Sequence, residues 1–146
     1  MTKILFVDSV DDSITKRRHR ILASDPRLAG YELYYFYPAV LTPEQEAVLA
    51  AGMIPDLTLV EEELANRLDN EIQSLEPRFV LLHTGFVFRR FPSVFFRVFA
   101  QLKKDYPTCR FGIQPREGLS IDRGAFDQTN EVIKLQQLVF REILDL

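Results

Sequence analysis

Apolar residues recur along this chain with two periods. Lys3 to Val7 reads Lys-Ile-Leu-Phe-Val, and Arg78 to His83 reads Arg-Phe-Val-Leu-Leu-His. Both are short and almost continuously apolar, as strands buried on two faces should be. Tyr31 to Tyr37 is a second strand of aromatic and apolar residues, closed by Pro38, and Arg110 to Gln114 is a fourth, closed by Pro115. A short fifth is expected near Leu119 to Ile121. Helical spacing fills the gaps. Ile14 to Ala23 carries Ile14, Ile21 and Leu22 on one side, with Ser13 or Asp12 to cap it and Asp25-Pro26 to end it. Thr42-Pro43-Glu44-Gln45 is a helix start with a capping residue, proline in the first turn and glutamine three positions after the cap, and Gly52 stops that helix. Leu64, Leu68, Ile72 and Leu75 mark a helix over about Leu59 to Leu75. Phe95, Val98, Phe99, Leu102 and Tyr106 mark one that starts at Pro92 or Ser93. Val132, Leu135, Val139, Ile143 and Leu146 form a stripe on the last, expected over Ala125 to Leu144, with Ile133, Phe140 and Leu144 beside it.

Strands alternating with helices predict an α/β protein with a parallel sheet of four to five strands and helices on both faces. The flavodoxin-like strand order 2-1-3-4 is the first expectation. A length of 146 residues, 47% of them apolar, suits a single domain spanning 1–146 with one core and no attached output domain. The net charge of −3 and a pI near 5.4 speak against general nucleic-acid binding, which draws on Lys and Arg. Cys109 is the only cysteine, so no intrachain disulfide forms, and a reducing, cytoplasmic setting is expected. An acidic residue at position 8 arrives too early for a signal peptide, and no apolar run is long enough to span a membrane. Phosphate-binding, dinucleotide-binding and nucleophile-elbow motifs are absent.

In that strand order, the loops after strands 1, 3 and 4 meet at the carboxyl edge of the sheet, where such folds take their ligands. The first brings Asp8, Asp11 and Asp12, the second His83, Thr84 and Gly85, and the third Gln114, Pro115 and Arg116. Carboxylates of this kind suit Mg²⁺, the one cofactor in prospect; they equally suit helix caps and turns. His83 could serve as base, ligand or hydrogen-bond partner of a loop, and Arg116 could pair with an anion.

Lys3-Ile-Leu-Phe-Val-Asp8, the pair Asp11-Asp12 and Arg78-Phe-Val-Leu-Leu-His83 together resemble a receiver domain of the two-component response-regulator type. The resemblance covers residues 3 to 37 and 78 to 115. It implies a Mg²⁺-holding acidic pair after strand 1 and a phosphate-accepting aspartate at the end of strand 3. His83 stands at that aspartate. The family's Ser or Thr after strand 4 and Lys-Pro after strand 5 have no clear counterpart, and Gln114 could stand at either place. The connection from strand 2 to strand 3 is longer here, because of the helix that begins at Thr42. With His83 for aspartate and no matching lysine, aspartyl phosphorylation is not expected; imidazole remains a nucleophile in principle.

Two further features bear on partners. Six of the 12 phenylalanines lie in 86 to 99, with Arg89, Arg90 and Arg97 among them. They either fold over the sheet edge into the core or form a protein-binding surface. Phe86, Phe88, Phe91, Phe96, Phe140 and Leu144 are the candidate interface residues, and a homodimer through the last helix is one form of it. Lys16-Arg17-Arg18-His19-Arg20 reads as a solvated helix face, with a phosphate contact as the lesser alternative. Taken together, the expected function is a non-enzymatic signalling or regulatory pseudo-receiver acting through a protein partner. The alternative is a small metal-dependent enzyme or nucleotide- or phosphate-binding protein using Asp8, Asp11, Asp12 and His83.

Overall fold

A computed structural model describes residues 1–7, 13–38, 41–84, 91–114 and 120–144, with backbone alone for 13–15 and 141–144. Four strands form one parallel sheet: β1 (Thr2–Val7), β2 (Tyr31–Phe36), β3 (Phe79–Leu82) and β4 (Arg110–Ile113), in the order β2-β1-β3-β4. Five α-helices accompany them among the described residues: α1 (Ser13–Ser24), α2 (Pro43–Ala50), α3 (Leu57–Leu75), α4 (Pro92–Asp105) and α5 (Asn130–Leu144). This is an α/β fold with the expected 2-1-3-4 order, consistent with a flavodoxin-like arrangement.

The two central strands explain the layering. Ile4 to Val7 and Phe79 to Leu82 are all buried. Side chains alternate across a strand, so each strand serves two cores. Ile4, Phe6, Phe79 and Leu81 join Leu22 of α1 and Val132, Leu135, Val139 and Phe140 of α5. Leu5, Val7, Val80 and Leu82 join Val60, Leu64, Leu68 and Ile72 of α3 and the Phe95-Val98-Phe99 stripe of α4. Helix α2 contributes no buried residue to either. Its capping box is formed as the sequence predicts: the Gln45 amide donates to Thr42 Oγ1 and the Thr42 amide to Gln45 Oε1.

The sequence-based expectation departs from the structure at the β4 edge. Ser120 and Ile121 are not in a strand, and Leu119 lies outside the described residues. The last helix begins at Asn130, not at Ala125. Ala125 and Phe126 lie instead in a buried turn. The physical reason is the exposed edge of β4, whose backbone groups need partners. The Phe111 amide donates to Asp127 Oδ2 at 2.7 Å, and the Asp127 amide donates back to the Phe111 carbonyl at 2.7 Å. The Ile113 amide donates to Gln136 Oε1 at 3.1 Å. One loop residue and one α5 side chain thus pair with β4 on the side where a further strand would lie. Gly112 permits this approach. A Cβ there would meet Gln136 Oε1 at 2.6 Å, Leu81 Cδ2 at 2.8 Å and Val132 Cγ1 at 3.0 Å.

Two substitutions test this edge. Asp127→Ala leaves the buried Phe111 amide without its acceptor, and Gly112→Ala pushes α5 off the strand. Each should lower stability by about 1–3 kcal/mol in urea denaturation. Asp25→Ala, at the cap of the short 3₁₀ turn Pro26–Leu28, should cost less than either.

Candidate functional site

Strand register builds the carboxyl edge. Val7 pairs with Leu82, and Leu82 with Ile113, so the residues that follow these three emerge side by side. The ladder continues one step further: the His83 amide donates to the Val7 carbonyl and the Gln114 amide to the Leu82 carbonyl, each at 2.9 Å. His83, Thr84 and Gln114 are therefore brought together as the sequence suggested. Asp8, Asp11, Asp12, Arg116, Phe86 and Phe88 lie outside the described residues, as does the side chain of Leu144.

Thr84 and Gln114 are 1% and 3% exposed, and the Thr84 hydroxyl donates to Gln114 Oε1 at 3.0 Å. That bond ties the loop after β3 to the end of β4 inside the protein, where a polar group without a partner would be costly. His83 is half-buried. Arg18, from α1, reaches its ring: Arg18 Nη1 lies 3.0 Å from Nε2 and 3.5 Å from Nδ1. The Phe140 ring flanks His83, with centroids 6.3 Å apart. A guanidinium has donors only. The ring is therefore the accepting side of this contact, and the near-equal distances to its two nitrogens lay the guanidinium across the ring rather than in line with either in-plane lone pair.

Arg18 corrects the reading of the basic run. The run does not present one solvated face. Arg18 is 6% exposed, and His19 is half-buried, its ring stacked on Tyr35 with centroids 3.4 Å apart and its Nδ1 2.9 Å from the Tyr37 hydroxyl. Only Lys16, Arg17 and Arg20 of the run are exposed. A signal was present: position 18 is four residues after Ile14 and four before Leu22, on the stripe that faces the sheet. Charge hid the position, because a long arginine stem can lie along apolar surface while its head reaches a polar group.

The remaining candidates divide by burial. Phe140 is 2% exposed and belongs to the core between α1, α5 and the sheet, so it presents no surface to a partner in this conformation. Phe91 and Phe96 are partly buried against the other core, and Phe96 meets Phe126 edge-on at 6.0 Å. Cys109 is buried; desolvation pushes its thiol up to about 12, with the Asp127 charge acting in the same direction. It is not an activated nucleophile. Among the described residues, no group of three or more His, Cys, Asp and Glu side chains could hold a metal ion. No helix among them is long and apolar enough to cross a membrane.

No protein-family model, curated protein or solved structure matches the chain.

The site should respond to two measurements. Cys109 is buried and its thiol is held protonated at pH 8, so an aromatic disulfide reagent should react at least about a hundredfold slower than after unfolding in urea. Arg18→Ala should cost about 1–3 kcal/mol in urea denaturation, because it removes both the His83 bond and the buried stem.

Proposed function

We propose that the protein is a non-enzymatic regulatory module of the pseudo-receiver type, which acts by contact with another protein. The strand order and the histidine at the end of β3 support the receiver-like part of this reading. One observation carries the non-enzymatic part: the buried Arg18 guanidinium donates to the ring of His83 at 3.0 Å. A guanidinium held against the ring crowds the nitrogens that a nucleophile, a general base or a metal ligand would use, and its charge repels a cation there. His19, the only other histidine, is stacked on Tyr35 and bonded to Tyr37. Next to His83 along the chain, Thr84 is buried and bonded to Gln114. The polar groups described at this edge satisfy one another.

The same arginine weighs against the ion-dependent alternative. A divalent cation beside His83 would stand close to the Arg18 positive charge, which repels it. Asp8, Asp11 and Asp12 would have to offset that before any net binding. A module of this kind delivers its signal through a partner.

Thermal unfolding with Mg²⁺ or Mn²⁺ should therefore show no saturable rise in Tm. Incubation with acetyl phosphate or phosphoramidate should add no phosphoryl mass. A saturable rise that disappears in the Asp11→Asn, Asp12→Asn double variant would overturn this reading in favour of a metal-dependent site. A phosphoryl group found on His83 would overturn it in favour of phosphotransfer.

A further inference from the structure

The outer surface of the β2-to-β3 connection is unusually apolar. Met53, Ile54, Leu57 and Leu59 are exposed by 63%, 83%, 37% and 55%, and they make up four of the five large apolar side chains exposed among the described residues. They fall within one short stretch around the start of α3. Helix α2 lies beside them. It is well capped yet none of its residues is fully buried, Val48 and Leu49 being only partly covered, so covering the sheet does not account for it. Between α2 and α3 runs a groove of about 460 Å³, with Leu41, Pro43 and Leu59 in its lining and the exposed carboxylates Glu62 and Glu63 along it. Exposed apolar side chains beside a groove with a polar rim suit a docking surface.

The chemistry that would complement it is present on the same chain. Helix α1 and the turn after it line an open concavity of about 740 Å³, in which Ile21 and Pro26 meet Arg17, Arg20 and Arg27. Arg17 and Arg20 are exposed, and Asp25 there is paired with Arg27 at 2.8 Å. Helix α1 packs with one core and α3 with the other, so the two surfaces lie on opposite faces of the sheet. They cannot meet within one molecule.

We propose that the Met53–Leu59 segment and the α2–α3 groove dock into the α1 concavity of a second copy of this chain, head to tail. Ile54 and Leu59 supply apolar contact to Ile21 and Pro26, while Glu62 and Glu63 face Arg17 and Arg20. The two surfaces differ, so the contact is heterologous, and each added copy leaves one of each kind unfilled. Assembly then grows with concentration or closes into a ring. Its charged part weakens with salt. The inference rests on the reading of the protein as an interaction module, and its test leaves the carboxyl edge untouched, so either can fail alone.

Sedimentation velocity of the full chain from about 1 µM to about 1 mM, at low and high salt, tests it. Two variants are needed: Ile54→Asp with Leu59→Asp, and Arg17→Glu with Arg20→Glu. All four positions are exposed, and circular dichroism confirms that each variant folds; Ile54→Ser or Arg17→Gln replaces any that does not. The wild type should exceed the dimer mass as concentration rises, and each variant alone should stay monomeric. An equimolar mixture of the two should form a species of twice the monomer mass and nothing larger, because one intact groove and one intact concavity remain. A wild type monomeric throughout, an assembly indifferent to both variants, or a mixture that stays monomeric would each overturn the proposal. So would a monomeric wild type that binds a basic amphipathic peptide, which would give the groove to a different partner.

Discussion

Strands β1 and β3 are apolar on both faces, and the architecture follows from the need to keep water off each. Every residue from Ile4 to Val7 and from Phe79 to Leu82 is buried. Removing such side chains from water is worth about 1.5–3 kcal/mol apiece, far more than any surface contact in the molecule. One helix layer cannot supply that. Helices α1 and α5 cover one face, α3 and α4 the other, and parallel pairing follows because each crossover must carry a helix. The edge strand β2 is less enclosed: its first five residues are only partly buried.

The same burial leaves β4 with an open edge. A further strand would be one solution. This chain instead uses Asp127, whose backbone amide and carboxylate both bond Phe111, and Gln136, whose amide oxygen takes the Ile113 donor. Lys103 and Arg110 stand 3.9 Å from the Asp127 carboxylate and offset part of the cost of bringing it in. Phe126 is drawn into the core by the same turn and meets Phe99 at 5.5 Å. The loop before α5 thereby does the work of a strand, and α5 sits close against β4 because Gly112 has no side chain to hold it away.

At the carboxyl edge, parallel register makes convergence unavoidable. The ends of β1, β3 and β4 are level, so whatever follows them is gathered at one place. What distinguishes this chain is how that place is filled. A threonine and a glutamine bond each other in the interior, and an arginine from α1 bonds the histidine. An edge whose described groups are already partnered to one another is suited to holding a shape. The apolar and charged features without evident structural use lie elsewhere, around α2 and along the outside of α1.

Much of this fold was legible from residue order alone. Continuous apolar runs marked β1 and β3, Thr42 to Gln45 specified a capped helix start, and strand–helix alternation led to a parallel sheet with order 2-1-3-4. These are local properties: a period, a cap or a proline acts within a few residues. The convergence of His83, Thr84 and Gln114 followed from that order. The partners did not. That Arg18 turns inward to His83, that Asp127 replaces a strand, and that Phe140 is core all depend on which surface a distant segment meets. Residue 18 lies on the buried stripe by spacing, yet its charge argues for solvent, and only the packing of α1 against the sheet resolves that conflict. The sequence by itself determined the elements and the edge at which a site could form. Tertiary structure decided which polar groups would meet there, because hydrogen bonds between residues 18 and 83, or 111 and 127, exist only once the chain has brought them within 3 Å.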